Sequence, residues 1–196
     1  SSRCGVRQGL QLAVEQERFE VDPWQDYLSR QEDDGKGLPA VLQRLSLASQ
    51  QVMISGVNLQ DVAFGLERGE GDYWRGTIAG SLVNGNVGMR WNRDERRVDL
   101  RLKQLVWNEV EETVPESKTT MQPGRFPTLD VVIDDLRFHN MQLGHMIMKG
   151  EPVENGWELQ GLSLKRPEMD IKATGLWRLR GDGRHRSRFD VDFTSS

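Results

Sequence analysis

Val57-Asn58-Leu59-Gln60-Asp61-Val62-Ala63-Phe64 is written in a grammar that recurs in Leu100/Leu102/Leu105/Trp107, Val131/Ile133/Leu136/Phe138 and Trp157/Leu159/Leu162/Leu164. Each stretch reads apolar-x-apolar-x-x-apolar-x-apolar. At about 100° per residue the four apolar positions fall near 0°, 200°, 140° and 340° around a helix, two opposed pairs and no single stripe. On a strand each pair shares one face, and the two-residue spacer between the pairs reverses parity. A β-bulge sets two residues opposite one and restores it. The spacers Gln60-Asp61, Lys103-Gln104, Asp134-Asp135 and Gln160-Gly161 are therefore expected bulge sites. The fold expected is mainly β: an elongated, curled antiparallel sheet, an open groove of repeated hairpins with one greasy face, and one short helix.

Outward from these stretches, alternating runs recur every dozen positions or so between turn residues, as in an all-β meander. After a first strand through Leu10, Leu12 and Val14, strands are expected near 44–48, 51–59, 61–68, 72–82, 86–92, 97–107, 129–139, 143–150, 156–164, 169–179 and 187–193. Asn84-Gly85-Asn86, Asn155-Gly156 and Gly181-Asp182-Gly183 supply residues that accept positive φ and are expected hairpin turns, so neighbours are expected to be antiparallel. The short helix is expected near 22–31, with Asp22 as N-cap, Pro23 at the first position and Trp24, Tyr27 and Leu28 on one face. Asn108 to Arg125 has few apolar anchors. It divides the chain into a first β repeat unit (1–108), a linker or mobile loop (109–125) and a second β repeat unit (126–196). Trp74 and Trp91 in the first unit correspond to Trp157 and Trp177 in the second, each pair preceding an alternating strand, Val98/Leu100/Leu102 and Phe189/Val191/Phe193.

Composition narrows the function. The net charge is -4 with 29% charged residues, without the basic excess of a nucleic-acid binder, so no nucleic-acid partner is expected. The single cysteine, Cys4, permits no internal disulfide. No apolar run approaches the ~20 residues of a spanning helix. The chain opens and closes on strand-like segments, which reads as an internal piece of a longer protein.

No catalytic site, metal site or cofactor is expected. His139, His145 and His185 lack ligand spacing, and Asp134-Asp135 point to opposite faces if extended. There is no Gly-x-Ser-x-Gly and no phosphate-binding loop. The tryptophans could form a platform for glycans, but their matched positions beside aliphatics favour repeated packing. Arg178, Arg180, Arg184, Arg186 and Arg188 crowd one hairpin with His185. Solvated arginines at a hairpin tip are the plainer reading. Arg180, Arg184 and Arg186 are also candidate contacts to phosphate head groups.

Phe126-Pro127-Thr128-Leu129-Asp130-Val131-Val132-Ile133-Asp134-Asp135-Leu136, the Leu143-Gly144 step, Gly156-Trp157-Glu158-Leu159 and Ala173-Thr174-Gly175-Leu176-Trp177 resemble, in order and spacing, the periplasmic repeats of the YhdP branch of AsmA-like proteins. Asp22-Pro23-Trp24, Leu38-Pro39 and Trp74 followed by Ala79-Gly80-Ser81-Leu82 extend the resemblance over most of the chain. It implies a segment of a bacterial envelope protein in the periplasm, attached to the inner membrane through an anchor that this chain lacks. Its partners would be phospholipid or another acyl lipid, and the remaining repeats of a longer chain. The implied role is a conduit that shields acyl chains between inner and outer membrane.

A half-open apolar trough suits that task. Acyl chains need cover worth about 0.8 kcal/mol per CH₂ while the head group stays wet. Some ten strands at about 4.8 Å give a groove on the order of 45–50 Å. The residues expected to line it are Val57, Leu59, Val62, Phe64, Trp74, Ile78, Leu82, Trp91, Val98, Leu100 and Leu102 in the first unit. In the second they are Val131, Ile133, Leu136, Phe138, Met146, Met148, Trp157, Leu159, Leu162, Leu164, Met169, Ile171, Trp177, Phe189, Val191 and Phe193. The alternative is a closed β-sandwich acting as a structural or protein-interaction module, in which the same face packs against a second sheet.

Overall fold

The computed structural model describes residues 9–21, 41–54, 57–92, 95–108, 123–179 and 184–195. The expected helix near 22–31, most of the linker at 109–125, and Arg180 with the Gly181-Asp182-Gly183 turn lie outside the described residues. Eleven strands follow one another: β1 (Leu10–Glu20), β2 (Leu42–Ile54), β3 (Val57–Arg68), β4 (Tyr73–Ala79), β5 (Val83–Trp91), β6 (Arg96–Trp107), β7 (Thr128–Phe138), β8 (Met141–Val153), β9 (Gly156–Arg166), β10 (Met169–Leu179) and β11 (His185–Ser195). All belong to one open sheet whose spatial order is the chain order. The expected curled, mainly antiparallel sheet is the observed architecture, and no second sheet is present among the described residues to make a sandwich.

Two junctions depart from the antiparallel expectation: β1 pairs β2, and β6 pairs β7, in parallel. Parallel neighbours need a connection of a dozen residues or more. The two longest stretches between successive strands, 21–41 and 108–127, fall at these junctions. Hairpin grammar carries no sign of such a crossover, so the local reading missed it. The parallel pairs set off two five-stranded meanders, β2–β6 and β7–β11. Trp74 opens β4 as Trp157 opens β9, Trp91 lies in β5 and Trp177 in β10, and Val98-Leu102 and Phe189-Phe193 occupy the fifth strands, β6 and β11.

Three of the four spacers are bulges. Gln160-Gly161 stand opposite Thr174 of β10, and the β8 ladder skips Gln160 between Lys149 and Gly150. Asp134-Asp135 stand opposite His145 between the pairs Ile133↔Met146 and Leu136↔Gly144. Lys103 is the extra residue against Asn84/Gly85. Toward β7 no bulge is needed, because Asp134 reverses parity beside Lys103 and the ladder keeps step. Gln60-Asp61 behaves differently. Asp61 takes a left-handed φ of 51° while the register with β2 is unbroken, Ser49↔Val62 and Gln51↔Gln60. β1 and β2 reverse parity in the same row, at Glu17 and Gln50, and the buried Ser49 hydroxyl donates to the Gln51 carbonyl at 2.8 Å.

Alternation alone breaks the chain at these reversals, into the expected strands 44–48, 51–59 and 61–68, whereas β2 and β3 run straight through them. The expected turn at Asn84-Gly85-Asn86 is also strand, for the glycine serves the bulge. The turn there is Gly80–Leu82, and it ties the sheet on both flanks. Ser81 N–H donates to the Gln60 carbonyl of β3, and Val106 N–H of β6 donates to the Leu82 carbonyl. β3 and β6 thus close in beyond the short β4–β5 hairpin, which curls the sheet toward its apolar side. Asn155-Gly156 turns as expected, with Asn155 at φ 57°.

Candidate functional site: the apolar face

Cross-strand register converts scattered hydrophobic residues into rows, because directly paired residues share a face. Leu12, Leu45, Leu66, Gly76, Val87, Leu100, Val131, Met148, Leu162, Ala173 and Val191 are paired one to the next across all eleven strands. A second unbroken row runs Val14, Leu47, Phe64, Ile78, Gly85, Leu102, Ile133, Met146, Leu164, Ile171 and Phe193. A third runs Trp74, Met89, Val98, Leu129, Gly150, Leu159, Gly175 and Phe189. No charged residue interrupts the first two, and the third ends at β3 on Arg68, which pairs with Trp74 and lies 5.6 Å over its ring.

Most residues expected to line the groove stand on these rows. Val62 stands on the same face of β3, two residues before Phe64, and Met169 on that of β10, two before Ile171. Leu59, Leu136 and Phe138 lie beyond the parity reversals, Leu82 in the turn, and Trp91, Trp157 and Trp177 at the other strand ends. Val57 begins β3, its side chain outside those described. Sequence reasoning missed Leu45, Leu47, Leu66, Val87, Met89 and Leu129. Their signal was present in the alternation Val83-x-Gly85-x-Val87-x-Met89, where glycine stands in an apolar position.

Burial along the face is graded. In the middle the curl and neighbouring side chains cover the floor: Leu66 is 0% exposed, Trp74 1% and Ile133 2%. Toward β11 the same rows open. Met146, Met148, Leu162 and Ile171 are half-buried, while Phe189 is 56% exposed and Val191 and Phe193 each 61%. Two glycines of the third row seat aromatic rings. A Cβ on Gly150 would lie 2.2 Å from the Trp157 ring and one on Gly175 2.2 Å from the Phe189 ring, so both rings lie across bare backbone. Phe126 packs edge-on to Trp157 and Trp177, with centroids 5.8 and 6.0 Å away. Beside them a cavity of about 260 Å³ is lined by Phe126, Trp157, Leu159, Gly175, Trp177, Ser187 and Phe189.

The opposite face is polar and ion-paired. At the parallel β6/β7 junction Asp130 takes Arg101 at 3.0 Å, Arg97 at 3.7 Å and Lys149 at 3.8 Å, and Arg97 also holds Asp99 at 2.9 Å. Tyr73 donates its hydroxyl to Asp99 at 3.0 Å. Burial first, then this hydrogen bond, raises the Tyr73 phenol above its ordinary 10.0. Arg186 pairs across from Arg178 on this polar side, whereas Trp177 and Ser187 face the trough. Of the expected head-group arginines, Arg186 therefore points away from the apolar face. Arg184 precedes β11, outside the ladder. Among the described residues no His, Cys, Asp and Glu group is placed to hold a metal ion, and no helix is long and apolar enough to cross a membrane.

An open single-layer sheet with apolar rows running across all its strands on one side and an ion-paired face on the other defines a trough-forming β protein. The family model described as YhdP protein matches residues 3–196. The chain belongs to the YhdP family, a family of bacterial envelope proteins. Neither a curated protein nor a solved structure matches it.

Proposed function

We propose that this chain is a non-catalytic segment of a periplasmic conduit that shields phospholipid acyl chains in its apolar trough as they pass between the inner and outer membranes. The observation that carries this reading is the continuity of the rows from Leu12 to Val191 and from Val14 to Phe193, which offer an acyl chain an uninterrupted apolar path across the strands. Family membership supports it, and so does the open end of the face, where Phe189, Val191 and Phe193 leave apolar surface uncovered. No single pocket is required, since a chain held only by area can slide. In this reading the protein acts with further repeats of a longer chain and an inner-membrane anchor. It uses no cofactor and no nucleic acid.

The test is saturable uptake of a fluorescent fatty-acyl probe, with lipid co-purifying with the protein. Val191→Asp with Phe193→Asp places two carboxylates on exposed positions of the trough and is expected to abolish uptake while leaving the circular dichroism spectrum unchanged. Ile133→Asp is unsuitable, because at 2% exposure it would unfold the sheet. A probe-inert wild-type chain with no bound lipid, or full uptake by the double variant, would refute the reading.

A further inference from the structure

The register sorts the aromatic residues by rim. Because antiparallel neighbours run in opposite directions, Trp74 at the start of β4, Trp91 at the end of β5, Trp157 at the start of β9 and Trp177 near the end of β10 come to one long rim of the sheet. All four are on the apolar face. Trp74 stands opposite Met89 and Trp91 two residues beyond it, while Trp157 and Trp177 stand opposite each other, two residues from Leu159 and Gly175. The other rim is mostly aliphatic, with Leu105 opposite Leu136, though Phe19 and the Trp107–Phe138 pair at 6.4 Å also stand there. Its flanking charges are matched, Asp135 with Arg137 at 2.7 Å and Asp170 with Lys165 at 3.7 Å, and Asp134 stands 3.7 Å from His145.

Indole rings, apolar in body with one N–H tip, settle where an apolar phase meets a wet one. Trp74 is itself buried, and it is at the β9–β10 end that the rings are both half-exposed and held in place. Trp157 Nε1 donates to the Pro127 carbonyl at 2.9 Å and Trp177 Nε1 to His185 Nδ1 at 3.2 Å, and the 260 Å³ cavity opens between them and Phe189.

We infer that an acyl lipid in the trough takes one orientation, its glycerol end at the Phe126–Trp157–Trp177 cavity with the head group in the water beyond, and its chains running along the strands toward the Leu105–Leu136 rim. This rests on the lipid-shielding reading above and adds a direction to it. Lipid passing along the sheet would then keep its head on one side throughout.

The experiment uses the full chain, unmutated, loaded with phosphatidylethanolamine carrying a photoactivatable diazirine either on the head group or at the chain terminus. After illumination, adducts are mapped by mass spectrometry. Head-group adducts are expected on Phe126, Trp157, Trp177 and Ser187, and chain-end adducts around Leu105, Trp107 and Phe138. Ser187→Trp, at an exposed position lining the cavity, is expected to remove the head-group adducts and keep the chain-end ones. Head-group adducts on both rims, or on the Trp107 rim alone, would overturn the orientation, and so would unchanged head-group labelling of the Ser187→Trp variant. Adducts from neither probe anywhere on the apolar face would instead remove the lipid reading and the orientation with it.

Discussion

Deleting Gln160 is expected to leave the protein folded with little loss of stability, whereas deleting Ser163 three residues later in β9 is expected to be severe. Gln160 is the residue that makes the spacer two long. Without it Trp157, Leu159, Leu162 and Leu164 alternate perfectly, Gly161 meets Thr174, and the pairs Gly150↔Leu159 and Gly175↔Leu159 join those beyond without a break. No apolar side chain changes face, so the cost should stay within about 1 kcal/mol. Removing Ser163 leaves the bulge in place and inverts the end of the strand. Leu164, Lys165 and Arg166 then turn over, and Leu164, now 9% exposed, would move to the polar face. Losing that burial resembles a core Leu→Ala change and costs ~2–5 kcal/mol. Urea denaturation of the two deletions beside the parent measures the difference. Equal destabilisation by both would refute the claim that parity governs the tolerance of this sheet. Because the bulge adds bend, the Gln160 deletion should also flatten the trough locally and weaken acyl-probe uptake.

Two further outcomes follow from single side chains. Gly76→Ala is expected to destabilise by ~1–3 kcal/mol or more, because its Cβ would lie 1.6 Å from the Gly65 carbonyl oxygen, a backbone atom that cannot step aside. Gly65→Ala meets nothing within 4 Å and should be neutral to about 1 kcal/mol stabilising, so thermal melts of the pair separate close approach from glycine content. For Tyr73 the raised folded-state pKa means that its contribution is complete below the unfolded value near 10.0 and is lost as pH rises through the folded one. Melting temperature should therefore fall more steeply above pH 10.0 in the parent than in Tyr73→Phe, and parallel alkaline profiles would dismiss ionisation of the Tyr73 phenol as the cause.

The strand content, the location of most hairpins and three of the four bulges were legible because each depends on side-chain alternation within about a dozen residues. Alternation does not say how a parity reversal is carried. At Asp61 a left-handed residue does it, with β1 and β2 turning in step, and reading β3 alone suggests a strand end instead. Asn84-Gly85 looks like a turn for a related reason: the glycine that suits a turn also suits a strand facing the extra residue of β6. The arginine-rich hairpin was visible as a charge cluster, but only pairing with β10 shows Arg186 on the polar side.

By itself the sequence determined that this chain makes strands with one apolar face, since period-two burial is written residue by residue and needs no partner. Tertiary structure decided what that face becomes. Ladder pairing between strands far apart in the chain joined the local apolar pairs into rows across all eleven strands, placed β6 parallel to β7, and brought four tryptophans to one rim. Those outcomes depend on the direction and register of neighbouring strands, quantities that no strand carries within its own residues.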